Sequence, residues 1–337
     1  VPEFDYLIVG AGFAGSTCAR VLADAGKRVL LIDQRDHIGG NSYDYVNADG
    51  ILVHKYGAHI FHTNSREVFE FLSRFTAWRP YQHRVLSATT RGLVSVPINQ
   101  TTIAAFGGDK LSAIHEIIGD YSRKQWGSYF YDRLSASVLA RVPIRESSDD
   151  DRYFTDGYQM MPADGYTALF ERMLDHPNIT LRLSSRFDAD RSDDGAKIIW
   201  TGPLDEYFGH CYGKLPYRSA RFDFTTLPQA KYQPVGVVNY PSPTLPYTRI
   251  VEFKHLTGQA HPKTTIATET PVAEGEPYWP IPTNETAELA AKYRALAAWL
   301  PHVHFLGRLG SYQYFDQHQV VAQALTLSGR LLAERTA

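Results

Sequence analysis

Six residues near the start of the chain, Gly10-Ala11-Gly12-Phe13-Ala14-Gly15, constrain its fold more than any other stretch. The apolar run Phe4-Asp5-Tyr6-Leu7-Ile8-Val9 leads into them and reads as a buried strand. A segment of helical period follows, with Cys18, Ala19, Val21, Leu22 and Ala25 on its apolar side, and Gly26-Lys27 breaks it. Arg28-Val29-Leu30-Leu31-Ile32 is a second strand that ends at Asp33. Strand, glycine turn, helix, strand and acid in this order form a dinucleotide-binding βαβ unit. Gly10 permits the tight turn, Gly12 lets backbone approach a pyrophosphate, and Gly15 lets the helix pack close on the strand. The pyrophosphate sits on the free N–H groups of the helix start, at Phe13 and Ala14. Asp33, 23 residues after Gly10, stands where a carboxylate accepts both ribose hydroxyls. A glycine turn in some other α/β protein explains neither the spacing nor the acid.

Which dinucleotide is meant is decided just downstream. Gln34-Arg35-Asp36-His37-Ile38-Gly39-Gly40-Asn41 places a second Gly-Gly within seven residues of the ribose acid. The stretch resembles the second motif of amine-oxidase-like FAD proteins, which implies FAD rather than NAD, with Gln34, Arg35, Gly40 and Asn41 at the cofactor. A long, extended cofactor needs backbone contacts beyond the first turn.

The 337 residues suffice for two or three domains. With a net charge of −2 and no basic run, nucleic acid is excluded as a partner, and an anionic ligand must be held by local arginines rather than a general field. The two cysteines, Cys18 and Cys211, imply no disulfide framework. The first strand starts at residue 4 and no apolar run has membrane-spanning length, so the expectation is a cytoplasmic protein without signal peptide or membrane span.

His54, His59 and His62 fall within nine residues, but His59-x-x-His62 lacks a Cys or Glu partner at zinc-like spacing, so no metal is expected. The rings read either as satisfied structural histidines or as a polar strip facing the flavin or its ligand. Asn64 or Ser65 caps a helix over Arg66–Phe75. Residues 81–88 and 92–97 read as two strands, and Ile98–Ile118 as mostly helical with Gly107-Gly108 interrupting. Trp126, beside Gly and basic residues, reads equally as a base-stacking platform or a domain anchor. A short helix is expected over Arg133–Leu139, then a mobile acidic loop. Helices follow at Gly165–Leu174, from Thr283 or Asn284 to Leu300, and over Val320–Leu332. Strands follow at Asn178–Leu183, Lys197–Trp200 (continued by Asp205-Glu206-Tyr207-Phe208), Val235–Tyr240, Tyr247–Phe253, Thr264–Glu269 and from His304 into the Gly310 loop. Arg249 and Glu252, three apart on one strand, face opposite sides. The fold class expected is α/β: an FAD-binding Rossmann-like domain of the GR2 type (1–62, 185–230, 300–337), an inserted antiparallel sheet (78–98, 231–282), and a small helical domain (99–150) with a mobile loop at about 141–154.

Several blocks then point one way. Gly39-Gly40-Asn41, His54-Lys55-Tyr56-Gly57-Ala58-His59-Ile60-Phe61-His62-Thr63, Lys124-Gln125-Trp126-Gly127, Arg141-Val142-Pro143-Ile144-Arg145, Pro246-Tyr247-Thr248-Arg249 and Gly307-Arg308-Leu309 to Asp316-Gln317-His318-Gln319 resemble, in order, the prokaryotic-type UDP-galactopyranose mutases. The resemblance implies interconversion of UDP-galactopyranose and UDP-galactofuranose without net redox change. Reduced FAD attacks the anomeric carbon through N5, and the sugar ring opens and recloses in a flavin–sugar iminium adduct. It implies Arg141 and Arg249 as catalytic clamps on the diphosphate, with Tyr278 and Tyr314 as hydroxyl donors. Trp126 is implied by the uracil, Tyr153 and Phe154 beside the uridine, His59 near the isoalloxazine and His83 by the sugar–phosphate site. Gly10, Gly12, Gly15, Asp33, Gly40, Asn41, His59, Arg308, Tyr314, Asp316 and Gln317 are implied at FAD. An external reductant, NAD(P)H or a reductase, is implied as well. Arg84 and Arg145 read equally as site or salt-bridge residues. The helical interval between Asn99 and Tyr121 is shorter than the family's. That domain usually forms the dimer interface, so homodimer and monomer both stay open.

Three rival readings remain. A true FAD oxidoreductase would line its pocket with apolar groups, which the two arginines and two tyrosines oppose. The others are an FAD-dependent enzyme acting on another UDP-hexose and a non-catalytic UDP-sugar-binding flavoprotein.

Overall fold

The computed structural model describes residues 3–134, 142–188 and 196–334. Arg141 and the expected Arg133–Leu139 helix from residue 135 onward lie outside them.

Tyr6–Val9 is the middle strand of a five-stranded parallel sheet, in the order Ile179–Arg182, Val29–Ile32, Tyr6–Val9, Lys197–Trp200, Val303–Phe305. Ile8 is in register with Leu31 on one side and Ile199 on the other, and all three are buried. Strands covered on both faces carry continuous apolar runs, which is why this sheet can be read from the sequence. Helix Phe13–Asp24 packs against both Gln317–Ala333 and Tyr166–Leu174. The chain thus leaves the sheet after its second strand and returns to it three times from far along the sequence.

The second large sheet has seven strands, in the order Trp279–Pro280, Tyr217–Leu227, Thr264–Val272, Arg249–Glu252, Val237–Asn239, Val85–Thr89, Gly92–Val96. Its pairings are antiparallel except that Val237–Asn239 runs parallel to Val85–Thr89. Residues 185–230, expected together in the dinucleotide unit, therefore divide. Lys197–Trp200 lies in the parallel sheet, whereas Tyr217–Leu227 pairs along its length with Thr264–Val272. The cause is a period of two: Phe222 and Phe224 share one face, against Tyr278 and Phe253, while Arg221 and Asp223 pair on the other.

Asp205–Phe208, expected to continue a strand, is instead the short helix Leu204–Tyr207. Asp205 and Glu206 sit in its first turn, where carboxylates favour a helix start. Between Ile98 and Trp126 the chain is mainly helical, and Gly107 and Gly108, at φ +67° and +87°, separate Gln100–Ala105 from Lys110–Ile114. Ser65, not Asn64, caps the helix Arg66–Ser73 by accepting from the Val68 N–H at 3.3 Å. Thr283 starts Asn284–Ala297 with a capping box.

The first helix lies so close to its strand that a Cβ on Gly15 would stand 1.9 Å from the Gly10 carbonyl oxygen. Gly15→Ala must push helix and strand apart, at about 1–3 kcal/mol or more. We expect a lower urea midpoint and loss of bound cofactor on gel filtration; wild-type values for both would refute this packing.

Candidate functional site

A cleft of about 350 Å³ opens at the carboxyl ends of the parallel strands. Gly10, Gly12, Phe13, Ala14, Asp33, Gln34, Arg35, Gly40, Asn41, His59, Arg308 and Gln317 all line it, as does Tyr278. Gly10 has φ +104°, and a Cβ there would meet Thr201 Oγ1 at 2.0 Å. Gly12 differs, because its nearest neighbour to a Cβ would be Gly40 Cα at an ordinary 3.6 Å. Its bareness is thus not needed by the protein's own packing and fits a ligand's close approach. The helix that follows has no side-chain cap and no acid in its first turn. Its N–H groups are left for an anion. A dinucleotide fits this floor.

Asp33 splits its carboxylate between the Ala11 N–H at 2.7 Å and the Arg35 N–H at 2.8 Å. It fastens the glycine turn to the end of the second strand and keeps lone pairs for ribose hydroxyls. Both Arg35 end nitrogens donate to Asn41 Oδ1 at 3.0 Å. Arg35 also lies over the Tyr56 ring and pairs with Glu276 at 2.7 Å. Gln317 donates to Ser42 and accepts from Tyr166. Asp316 caps the helix Gln317–Ala333, and Tyr314 lies beneath the Arg308 guanidinium, 4.8 Å from its centroid. The sequence reading missed Phe187, Trp200, Thr201, Pro203 and Glu206, which also line the cleft. Thr201-Gly202-Pro203 at the end of a parallel strand was the available signal.

The second sheet adjoins this cleft through Tyr278. Trp126, Tyr278 and Trp279 are buried in one cluster with Tyr314 against it, and the Trp126 and Tyr314 rings meet edge to face at 6.1 Å. The Tyr278 hydroxyl donates to the Tyr56 carbonyl. Arg249 stands directly across the strand pair from Glu269, and its Nε donates to Glu269 Oε2 at 2.8 Å. Burial opposes the Arg249 charge, but Glu269, only 1% exposed, outweighs it and raises the Arg249 pKa. Among the described residues its terminal nitrogens make no hydrogen bond. Glu252 faces the other way, to the Tyr232 and Gln233 N–H groups.

His83 bonds Tyr81 Oη at 3.2 Å and meets the Tyr153 ring edge on. Phe154 stacks on His62 at 3.6 Å, and His62 Nδ1 pairs with Asp156 at 2.9 Å. Arg84 bonds both oxygens of Asp151, and Arg145 donates to the carbonyls of Asp150, Arg152 and Tyr153. Both arginines are structural here, and the acidic stretch is internally paired. Among the described residues no group of His, Cys, Asp and Glu is placed to hold a metal.

Two families match the chain: an NAD(P)-binding Rossmann-like domain over residues 8–75 and UDP-galactopyranose mutase over residues 116–314. The chain is 36% identical to a probable UDP-galactopyranose mutase of Klebsiella pneumoniae, over 97% of this chain and 94% of that one. It is 34% identical to the UDP-galactopyranose mutase of Mycoplasma pneumoniae, over 98% and 96%. It is also 31% identical to the dTDP-fucopyranose mutase of Escherichia coli, over 95% and 96%. Its fold matches a crystal structure of reduced UDP-galactopyranose mutase with a TM-score of 0.76, over 99% of this chain and 97% of that one; at 15% identity this concerns the fold alone.

Three rings near the cleft are held neutral. Burial pulls His54 from 6.5 down to about 4, and burial together with neighbouring positive groups pulls His59 and His83 to about 3. As pH falls, protons bind the unfolded chain first. The stability from these rings is therefore full above about pH 6.5 and lost as pH falls toward 3–4, at up to about 1.4 kcal/mol per ring per pH unit. Urea midpoints should drop between pH 7 and 5, and less steeply in His83→Gln; equal slopes would remove His83 from this account.

Proposed function

The chain belongs to the UDP-galactopyranose mutase family, and on that premise we propose that it interconverts UDP-galactopyranose and UDP-galactofuranose using reduced FAD. The observation that carries the reading is Arg249: a half-buried guanidinium pinned through Nε by the buried Glu269, with both terminal nitrogens facing no protein partner among the described residues. That is a donor fork prepared for a diphosphate. Arg141, which lies outside the described residues, is the second clamp in this reading.

Reduced FAD, when bound, supplies the nucleophile that carries the sugar while its ring opens and recloses. The chain positions the rest. Gly12 admits the pyrophosphate, Gly10 and Gly15 hold the turn and the helix that receive it, and Asp33 takes the ribose. Arg249 and Tyr314 retain the diphosphate through its departure and return, Tyr278 stays tied by its hydroxyl to the Tyr56 carbonyl in the wall beside them, and Trp126, Tyr153 and Phe154 frame the uridine. His59 Nδ1 is engaged by the Gly57 carbonyl at 3.0 Å. The neutral ring therefore offers Nε2 as a hydrogen-bond acceptor to a sugar hydroxyl. Turnover then requires an external reductant.

A second reading keeps the chemistry but changes the nucleotide sugar. The similarity to the E. coli dTDP-fucopyranose mutase supports it. Conversion of UDP-galactofuranose and dTDP-fucofuranose, followed by chromatography on oxidised and dithionite-reduced holoenzyme, separates the two. We expect UDP-galactopyranose, and only after reduction. No conversion in either state, with FAD and UDP both bound, would overturn the assignment.

Arg249→Ala removes charged donors from a buried diphosphate, a loss of a few kcal/mol, so kcat/KM should fall by roughly 100-fold or more. Arg249→Lys should rescue poorly, because an ammonium lacks the fork. Turnover of Arg249→Ala within threefold of wild type would sink its role.

A further inference from the structure

The uridine platform and the diphosphate clamp come from different parts of the chain. Trp126 ends the helix Tyr121–Trp126, and Arg249 begins the strand Arg249–Glu252. Productive binding requires the two at one fixed spacing. The loop before Arg249 carries Pro241, Pro243 and Pro246. Each lacks an N–H, so this loop cannot join a ladder, and its carbonyls need donors from elsewhere.

Lys124 supplies them. Its Nζ donates to the carbonyls of Tyr240 at 2.6 Å, Ser242 at 2.9 Å and Tyr247 at 2.6 Å. An ammonium has three N–H donors, and here all three are used. Burial pulls the Lys124 pKa down to about 8, and the carbonyls replace the hydration lost. Lys124 stands two residues before Trp126, and Tyr247 two residues before Arg249. One ammonium therefore references both functional residues. Arg218 does the same on the other side: its Nε donates to the Gln125 carbonyl at 3.0 Å, while its own carbonyl accepts from the Tyr278 N–H at 3.0 Å.

We propose that Lys124 and Arg218 are positioning residues that fix the spacing of Trp126 from Arg249 and from Tyr278, and so set affinity for the nucleotide half of the substrate. This rests on the UDP-sugar reading of the cleft. Neither residue lines the cleft, so both act through Trp126.

The test uses FAD-loaded, dithionite-reduced enzyme. Lys124→Cys is made together with Cys211→Ser, because Cys211 is exposed and Cys18 buried. It is assayed before and after alkylation with 2-bromoethylamine, which rebuilds an ammonium of lysine's length. We expect Kd for UDP and KM for UDP-galactofuranose to rise about tenfold, as for lost alignment of one good contact. The change in kcat should stay below about threefold, well short of a lost catalytic group. Alkylation should restore affinity, and Lys124→Cys should add nothing in a Trp126→Ala background. UDP affinity within about twofold of the parent, or full additivity with Trp126→Ala, overturns the proposal. If Lys124→Cys does not retain FAD, Arg218→Met, which among the described residues removes one side-chain hydrogen bond, to Gln125, is read by the same criteria. A parent enzyme that does not bind UDP, or a Trp126→Ala variant that binds it as tightly as the parent, sinks the UDP-sugar reading and this proposal with it.

Discussion

The pairing of Arg249 with Glu269 is the interaction on which the substrate half depends. Glu269 is almost fully buried, and a carboxylate withdrawn from water is costly unless a cation meets it, which the half-buried Arg249 does. The two are direct cross-strand partners, so the pair also sets register. A slip of one residue would turn Arg249 to the opposite face of the sheet and leave Glu269 buried without its cation. Sheet alignment, the Arg249 charge and the direction of its guanidinium are therefore set by one contact.

The cofactor half is tied to it by a short chain of contacts. Arg35, held to Asn41 beside the glycine turns, lies over Tyr56 and pairs with Glu276. Tyr56 accepts from Tyr278 through its carbonyl, and Tyr278 follows Glu276 by two residues. Tyr278 lines the cofactor cleft and also belongs to the cluster of Trp126. A residue at the end of the second parallel strand and one on the far sheet thus belong to one connected wall.

This division explains what was legible in the sequence. The glycines, Asp33 and the Gly40-Asn41 turn are local: strand, turn and helix follow one another within about one supersecondary unit, and spacing alone carries the meaning. Arg249 and Trp126 could be picked out by residue type and family likeness. The parts played by Glu269, Lys124, Arg218 and Asp156 could not, although Lys124 falls in one of the family-like blocks. Their roles arise from register or from contacts between residues about a hundred positions apart, and no local period encodes them. Tyr217–Leu227 did carry a period-two signal in Phe222 and Phe224, obscured because its other face is charged and exposed. Leu204–Tyr207 misled because it follows a strand directly, although its leading Asp205 and Glu206 were a helix-start signal.

A chain with net charge −2 has no general field for an anionic ligand, so affinity has to come from a few cations at fixed places. The electrostatics of the cleft are arranged accordingly. The Arg249 charge is felt at Tyr121, Tyr278, His59 and His83, and burial with that charge keeps both histidines neutral. Were either imidazole protonated near neutrality, it would compete with Arg249 for the same anion and make retention depend on pH. Burial prevents this, leaving Arg249, which does not titrate in this range, as the fixed positive charge that the proposed function gives to the diphosphate. The same burial gives His54, His59 and His83 their stability cost in acid, so fixed charge in the cleft and acid sensitivity of the fold have one origin.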